Sequence, residues 1–210
     1  NGGENTQGKR YFAKVLWGGL LKSRKSAALP GAKIYPPTLT NSDLANIKIA
    51  KEMGVTGVMQ PFVRDHSDLE CVKEALREAG AEDIRLFAKI ENMDGVRKLE
   101  KLLPAADEIV IARGDLGNAV HLWDLPGVQR QISEKCRAAG KPFMVVTQML
   151  ASMERSPVPT RAEVNDIFHA VMDGAASIMV TGETAVGDYP VEVIRYMVNT
   201  VRSAEKKENR

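Results

Sequence analysis

Between residues 42 and 201 the chain alternates short apolar runs with amphipathic segments about five times, and this rhythm limits its fold more than any other feature. The runs cover residues 55–59, 84–90, 109–111, 143–146 and 178–180. Each is short, mostly apolar and bounded by charge, proline or glycine, as suits strands of a parallel sheet covered by helices. The segments between them carry apolar residues at helical spacing: Val72, Ala75, Leu76 and Ala79; Val96, Leu99 and Leu103; Val128, Ile132 and Cys136. Two more such faces follow, Val164, Ile167, Phe168 and Val171, then Val193, Ile194, Met197, Val198 and Val201. Punctuation agrees with the periodicity. Ser42 and Asp43 are expected to cap a helix running to Met53, with Gly54 ending it. Ser67 or Asp68 would start the next, Asp94 the third, and a helix over 124–139 would stop at Gly140. Thr160-Arg-Ala-Glu163 has capping-box spacing, and Pro190 suits the first turn of the last helix. Consecutive parallel strands need helical crossovers, so the pattern predicts an α/β fold with one parallel sheet. An open doubly wound sheet and a (β/α)8 barrel both satisfy it. A barrel takes eight strands and typically about 250 residues, so as a barrel this chain would hold about five of eight units, with the front ones absent.

Composition narrows the function classes. The 210 residues are 44% hydrophobic and 27% charged, normal for an ordered globular chain. A net charge of +2 argues for no nucleic-acid partner, and no apolar run has membrane-spanning length. Cys71 and Cys136 fall inside predicted helices and read as thiols in a reducing compartment. Residues 1–31 stand outside the rhythm, with a strand-like stretch at 11–16, a turn at Gly18-Gly19, basic Lys22-Ser-Arg24-Lys25 and a connector at Leu29-Pro-Gly31. The first residue is Asn1, expected of a processed chain or a piece of a longer one. Residues 205–210 read as a charged, solvated tail.

The polar residues collect where the strands end. Side chains alternate along a strand, so Lys89 and Glu91 point the same way. Alone they are a plain ion pair, since buried Lys and Glu are usually paired. The next strand, however, leads into Arg113-Gly114-Asp115, and the one after it into Thr147-Gln148. Gly-Asp is also ordinary turn chemistry. Two carboxylates at neighbouring strand ends, Glu91 and Asp115, nevertheless form the hard oxygen set that Mg²⁺ takes, with positions left for water and substrate. A lysine beside such an ion suits an enolate or a phosphoryl group in flight, and backbone N–H groups near Gly114 suit an anion. His66, His121 and His169 lack ligand spacing and are expected on loops or a helix flank. Met149, Met153, Met172, Met179 and Met197 are expected to fill the core.

Lys89-Ile-Glu-Asn92, Ala112-Arg-Gly-Asp-Leu-Gly117, Thr147-Gln-Met-Leu150, Pro159-Thr-Arg-Ala-Glu163, Gly182-Glu-Thr-Ala185 and Gly187-Asp-Tyr-Pro190 resemble, in order and spacing, the pyruvate kinase family. The similarity runs over residues 18–204. It implies a TIM-type barrel at 32–204, preceded at 1–31 by the end of a small lid domain and its connector. It implies transfer of a phosphoryl group from phosphoenolpyruvate to ADP, giving pyruvate and ATP. Lys89 would stabilise the enolate and the moving phosphoryl group, and Thr147 would lie on the proton's path to the methylene carbon. Ala112, Arg113 and Gly114 would bind the substrate carboxylate chiefly through backbone, and Thr147 would also contact substrate. Glu91 and Asp115 would hold Mg²⁺ or Mn²⁺, and Lys25 would reach the nucleotide phosphates. A K⁺ site belongs to the family, but its ligands lie on front strands that this chain lacks. The resemblance also implies a cytoplasmic location and, for the complete protein, a homo-oligomer.

Two departures stand out. Pro61 replaces a serine before Phe62-Val-Arg64, and Asn118-Ala-Val-His121 replaces the usual continuation after Gly117. With front strands, most of the lid and any effector domain missing, the isolated chain is expected to lack substantial activity. Two other classes remain: a metal-dependent aldolase or lyase acting through a pyruvate enolate, which needs no nucleotide, and a non-catalytic remnant, which binds neither metal nor phosphoenolpyruvate.

Overall fold

The computed structural model describes residues 14–16, 18–20, 23 and 36–208. The expected features at Trp17, at Lys25 and over most of 1–31 lie outside the described residues. Five strands are present among the described residues: β1 (Gly57–Gln60), β2 (Arg85–Ile90), β3 (Glu108–Ala112), β4 (Phe143–Val146) and β5 (Ser177–Met179). Helix α1 (Asn41–Ala50) precedes β1, and α2 (His66–Glu78) joins β1 to β2. Short helices α3 (Met93–Arg97) and α4 (Leu99–Leu102) lead to β3, then α5 (Arg113–Ala119) and α6 (Leu125–Ala138) to β4. Helix α7 (Arg161–Met172) precedes β5, and α8 (Gly182–Ala185) and α9 (Pro190–Glu208) follow it. The strands pair in chain order, each parallel to the next. A doubly wound sheet reverses its order at a switch point. Among the described strands no reversal occurs, which is the order of a barrel wall.

The two faces of the sheet differ as barrel faces do. Leu86, Ala88 and Ile90, Ile109 and Ile111, and Phe143 and Val145 join the main core with Leu69, Val72, Leu76, Leu99, Ile132, Ile167 and Val193 from the helices. Val110, Ala112, Met144 and Val146 form a second cluster, packed against Phe87 and Met179, with strand residues only. Helices therefore cover one face, and strand side chains fill the other. Curvature is visible in one contact: the Ser177 hydroxyl on β5 donates to the Glu108 carboxylate on β3, reaching across β4. In a flat sheet strands two apart are separated by roughly 9–10 Å, so the wall must bend to close that gap. Layers drawn from alternate strands are how a barrel interior fills.

Several local expectations shift by a residue or two. The cap of α1 is Thr40, not Ser42 or Asp43; Asp43 is the reciprocal partner three residues on. The same holds at α2, where Asp65 caps and Asp68 is the inner partner, so His66 begins the helix instead of lying in a loop. At α3 the cap is Asn92, whose side chain accepts from the Gly95 N–H, and Asp94 sits in the first turn. The physical reason is shared. A cap needs extended backbone with its side-chain oxygen facing the N–H two or three residues on, and an acid inside the first turn already has helical backbone. Helix α1 also ends at Ala50 and continues to Gly54 only as turn. The capping box of α7 forms as its spacing predicts, with Thr160 and Glu163 exchanging bonds. Gly80 and Gly140 take φ of 63° and 61° just past α2 and α6, ending both without a side-chain clash.

On α9, Val193 is buried and Met197 and Val201 pack on the core, but Ile194 is 42% exposed, off the inward face. Of the five methionines expected inside, Met149 and Met153 are fully buried, Met179 and Met197 are partly so, and Met172 is exposed at the end of α7. Glu205, Lys206 and Lys207 are solvent-exposed and belong to the last turns of α9. No helix of the described residues is long and apolar enough to cross a membrane.

Candidate active site

The C-terminal ends of β1 to β5 point the same way, so whatever follows each strand lies on one rim. After β2 the chain reaches Glu91, which is almost wholly buried, and the Lys89 ammonium stands 2.8 Å from its Oε1. The Phe62 N–H, on the loop after β1, donates to Glu91 Oε2 at 2.7 Å. Phe62 has φ of 52°, so the Pro61-Phe62 turn bends back to present that N–H. Glu91 is thus oriented by Lys89 on β2 and by Phe62 on the loop after β1, while each oxygen keeps further acceptor capacity. Asn92 ties the same two loops together, donating to the Val63 carbonyl at 3.1 Å.

Strand β3 is fully buried through Ala112 and passes directly into α5. Ile90 is in register with Ile111, so Glu91 and the start of α5 are neighbours along the rim. Asp115, in the first turn of α5, is exposed, and its carboxylate makes no hydrogen bond or ion pair among the described residues. The first N–H groups of any helix lack intrahelical partners, which leaves those of Gly114 and Asp115 open to an anion. Strand β4 is in register with β3 through Ala112 and Val146, which sets Thr147 beside Gly114. A Cβ at residue 114 would lie 3.1 Å from the Thr147 methyl, so the approach favours glycine there.

Arg113 uses its backbone and its side chain differently. Its side chain is 13% exposed and reaches α7: Nη1 pairs with Asp166 at 2.7 Å, and Nε and Nη2 donate to the Thr147 carbonyl at 3.2 and 2.7 Å. A substrate-binding role for residue 113 is therefore a backbone role. Asp166 was not singled out by the sequence. Its one signal was an acid three residues after Glu163, on the flank of the α7 face that buries Ile167 and Ala170.

Two more carboxylates shape the loops of the rim. Burial pushes the Asp68 carboxyl up, but hydrogen bonds from the Arg64 side chain, the Thr38 hydroxyl and the Arg64 N–H, with the guanidinium charge, hold it at about 2. Glu183, after β5, accepts from the backbone N–H groups of Leu150 and Thr181 and so joins the loops after β4 and β5. Cys136 is buried, and burial pushes its thiol up to about 12, so it is no nucleophile. His121 stacks on Trp123, and His169 is exposed on α7.

The carboxylates expected to serve a divalent cation, Glu91 and Asp115, both lie on this rim. Among the described residues no three His, Cys, Asp or Glu side chains converge into a cage. Two carboxylates with the remaining positions left to water and substrate oxygens suit Mg²⁺, which dehydrates reluctantly.

Comparison with known proteins agrees with this geometry. Residues 4–194 match the family model described as "Pyruvate kinase, barrel domain". The chain is 40% identical over 205 residues to a pyruvate kinase of Bacillus licheniformis, covering 98% of this chain and 35% of that protein. A pyruvate kinase of Clostridium acetobutylicum is 36% identical over 206 residues, covering 98% of this chain and 44% of that protein. One of Debaryomyces hansenii is 42% identical over 188 residues, covering 90% and 37%. The chain spans between about a third and under a half of the length of these relatives. Parallel strands in sequential order, a strand-filled inner face, the rim motifs and these matches lead to one conclusion: the chain belongs to the pyruvate kinase family and carries part of its barrel domain.

Proposed function

We propose that this chain provides the enolate-stabilising and metal-holding side of a pyruvate kinase active site, which moves a phosphoryl group from phosphoenolpyruvate to ADP. The observation that carries the reading is the Lys89–Glu91 pair, 2.8 Å apart on the rim beside α5 and Thr147. The ester P–O bond of phosphoenolpyruvate breaks as a terminal phosphate oxygen of ADP bonds to phosphorus. The electron pair left on the enol oxygen makes an enolate. The Lys89 ammonium is suited to stabilise that developing charge, because a fixed cation in a partly desolvated site needs no reorganisation as the charge forms. Backbone N–H groups at Ala112, Arg113 and Gly114 would hold the substrate carboxylate. The enolate's methylene carbon then gains a C–H bond, with the proton arriving on the Thr147 side, and pyruvate results.

Glu91 and Asp115 would hold Mg²⁺ or Mn²⁺, which when bound supplies positive charge next to the substrate oxygens. Lys25 would meet the nucleotide phosphates, residues 1–31 being the end of a lid domain and 32–204 the barrel portion. The family reading extends to a K⁺ requirement, a homo-oligomer, a place in glycolysis and a cytoplasmic location.

The test is a coupled assay for pyruvate formation from phosphoenolpyruvate and ADP with Mg²⁺. It is run on this chain alone and on the chain joined to the front portion of a matching relative. Turnover in the joined protein, lost in Lys89→Met, is the expected result. A folded joined protein without turnover rejects the reading.

A further inference from the structure

Among the described residues three non-glycine positions have positive φ, all just past strand ends: Phe62, Thr147 (82°) and Gln148 (54°). For a β-branched residue such backbone is strained, and it persists only where the surroundings hold it. The Thr147 carbonyl is held by one guanidinium. Arg113 gives its carbonyl two hydrogen bonds, at 3.2 and 2.7 Å, and reaches the Met149 sulfur at 2.8 Å. The same guanidinium is held in turn by Asp166, whose Oδ1 and Oδ2 lie 2.8 and 2.7 Å from Nη1. A third side chain on Arg113, Gln129, stands at 3.5 Å. Asp166 sits on a braced element, because Glu163 of α7 bonds the Thr160 N–H at 2.8 Å and the Ser152 N–H at 2.7 Å. The Thr147 methyl packs beside Gly114, where a Cβ would come within 3.1 Å of it. Thr147 is therefore clamped between α5 and a bridge to α7.

We propose that Asp166 is a positioning residue for the proton-transfer half of the reaction. By fixing the Arg113 guanidinium it holds the Thr147 carbonyl, and with it the left-handed turn that sets the Thr147 side chain against Gly114. A planar fork that spans a carboxylate and a carbonyl transmits position as a point charge cannot. The catalytic part of this inference rests on the role proposed above for Thr147. The conformational part does not.

Two readouts test it. In the full chain, the ¹³Cα and ¹³Cβ shifts of Thr147 and Gln148 report their backbone. Asp166→Asn, which keeps the shape and removes the charge, should move both toward extended values, and Asp166→Glu should move them less. In the joined protein, exchange of the pyruvate methyl protons with D₂O should fall roughly 10- to 100-fold in Asp166→Asn, as misplacement of a reacting group does. KM for phosphoenolpyruvate should stay within about twofold, and Asp166→Glu should recover part of the exchange. A purely structural role would lower the unfolding midpoint and slow every step alike, with no such split. Unchanged Thr147 and Gln148 shifts in Asp166→Asn, or loss of exchange matched by an equal rise in KM, overturns the proposal. An unsubstituted joined protein that neither exchanges nor transfers ends the pyruvate kinase reading, and the shifts then decide the clamp alone.

Discussion

Arg85 and Glu108 pair across β2 and β3 at the entry end of the sheet, whereas Lys89 and Glu91 pair at the exit end of β2 alone. Both pairs join a nearly buried glutamate to a more exposed cation. At the entry end, Glu108 also accepts from Ser177, and the Arg85 guanidinium lies 4.8 Å over the Phe87 ring, so the pair ties together strands of the inner face. At the exit end, Glu91 is oriented by a backbone N–H and Lys89, and Lys89 remains a quarter exposed on the rim. The lesson is that an ion pair's charge does not tell its role. What separates the two is place, since each acid has one partner on each oxygen: Glu108 stands where the strands start and bonds to a third strand, whereas Glu91 stands on the rim where loops and helix starts converge.

The largest effect should separate these pairs. In the joined protein, Glu91→Gln should lower turnover roughly 10²- to 10³-fold and cost about 1 kcal/mol of stability, because Lys89 and the Phe62 N–H keep a weaker partner. Glu108→Gln should leave turnover within a few-fold and cost about 1 kcal/mol of stability, read in urea, because Ser177 and Arg85 keep a weaker partner. Equal losses of turnover in the two variants would break the comparison.

A second contrast sets the two faces against each other. Ile111 belongs to the large helix-covered core and Val110, its neighbour, to the small inner cluster. Ile111→Ala should cost roughly 2–5 kcal/mol by urea unfolding, and Val110→Ala roughly half as much, since fewer atoms and a smaller cluster lose contact. The reverse order would mean that the inner face carries the stability.

A third contrast concerns another buried acid. Asp68 has its folded carboxyl at about 2, below the unfolded value of 3.8. A depressed pKa means that its stabilisation is fully present above the unfolded value and is lost as pH falls through the window from about 4 to about 2. The loss amounts to about 2 kcal/mol. Asp68→Asn should flatten that part of the stability profile. An unchanged slope would show that the Arg64 and Thr38 bonds do not bias its protonation.

Much of this was legible in the chain. Strand β4 falls on the run read as 143–146, and β2 starts within a residue of its run, because uninterrupted apolar stretches between a proline or charge and a polar end leave few alternatives. Caps were less legible. Thr40, Asp65 and Asn92 each have another polar residue within three positions, and which one caps depends on the backbone angle at which the chain enters the helix. The candidate site divides the same way. Lys89 and Glu91 could be paired from strand alternation alone, since two residues apart on one strand must share a face.

Sequence by itself determined the strand–helix rhythm, the parallel sheet, the helix-covered core and the polar rim, because each follows from periodicities and stops within a dozen residues. Only the tertiary structure decided which of two sheet orders was built, that Ser177 meets Glu108 across an intervening strand, and that Arg113 spends its side chain on Asp166 and the Thr147 carbonyl. Those contacts join residues 69, 53 and 34 positions apart. No local pattern encodes them; they follow from the curvature of the wall and from the geometry with which helices pack upon it.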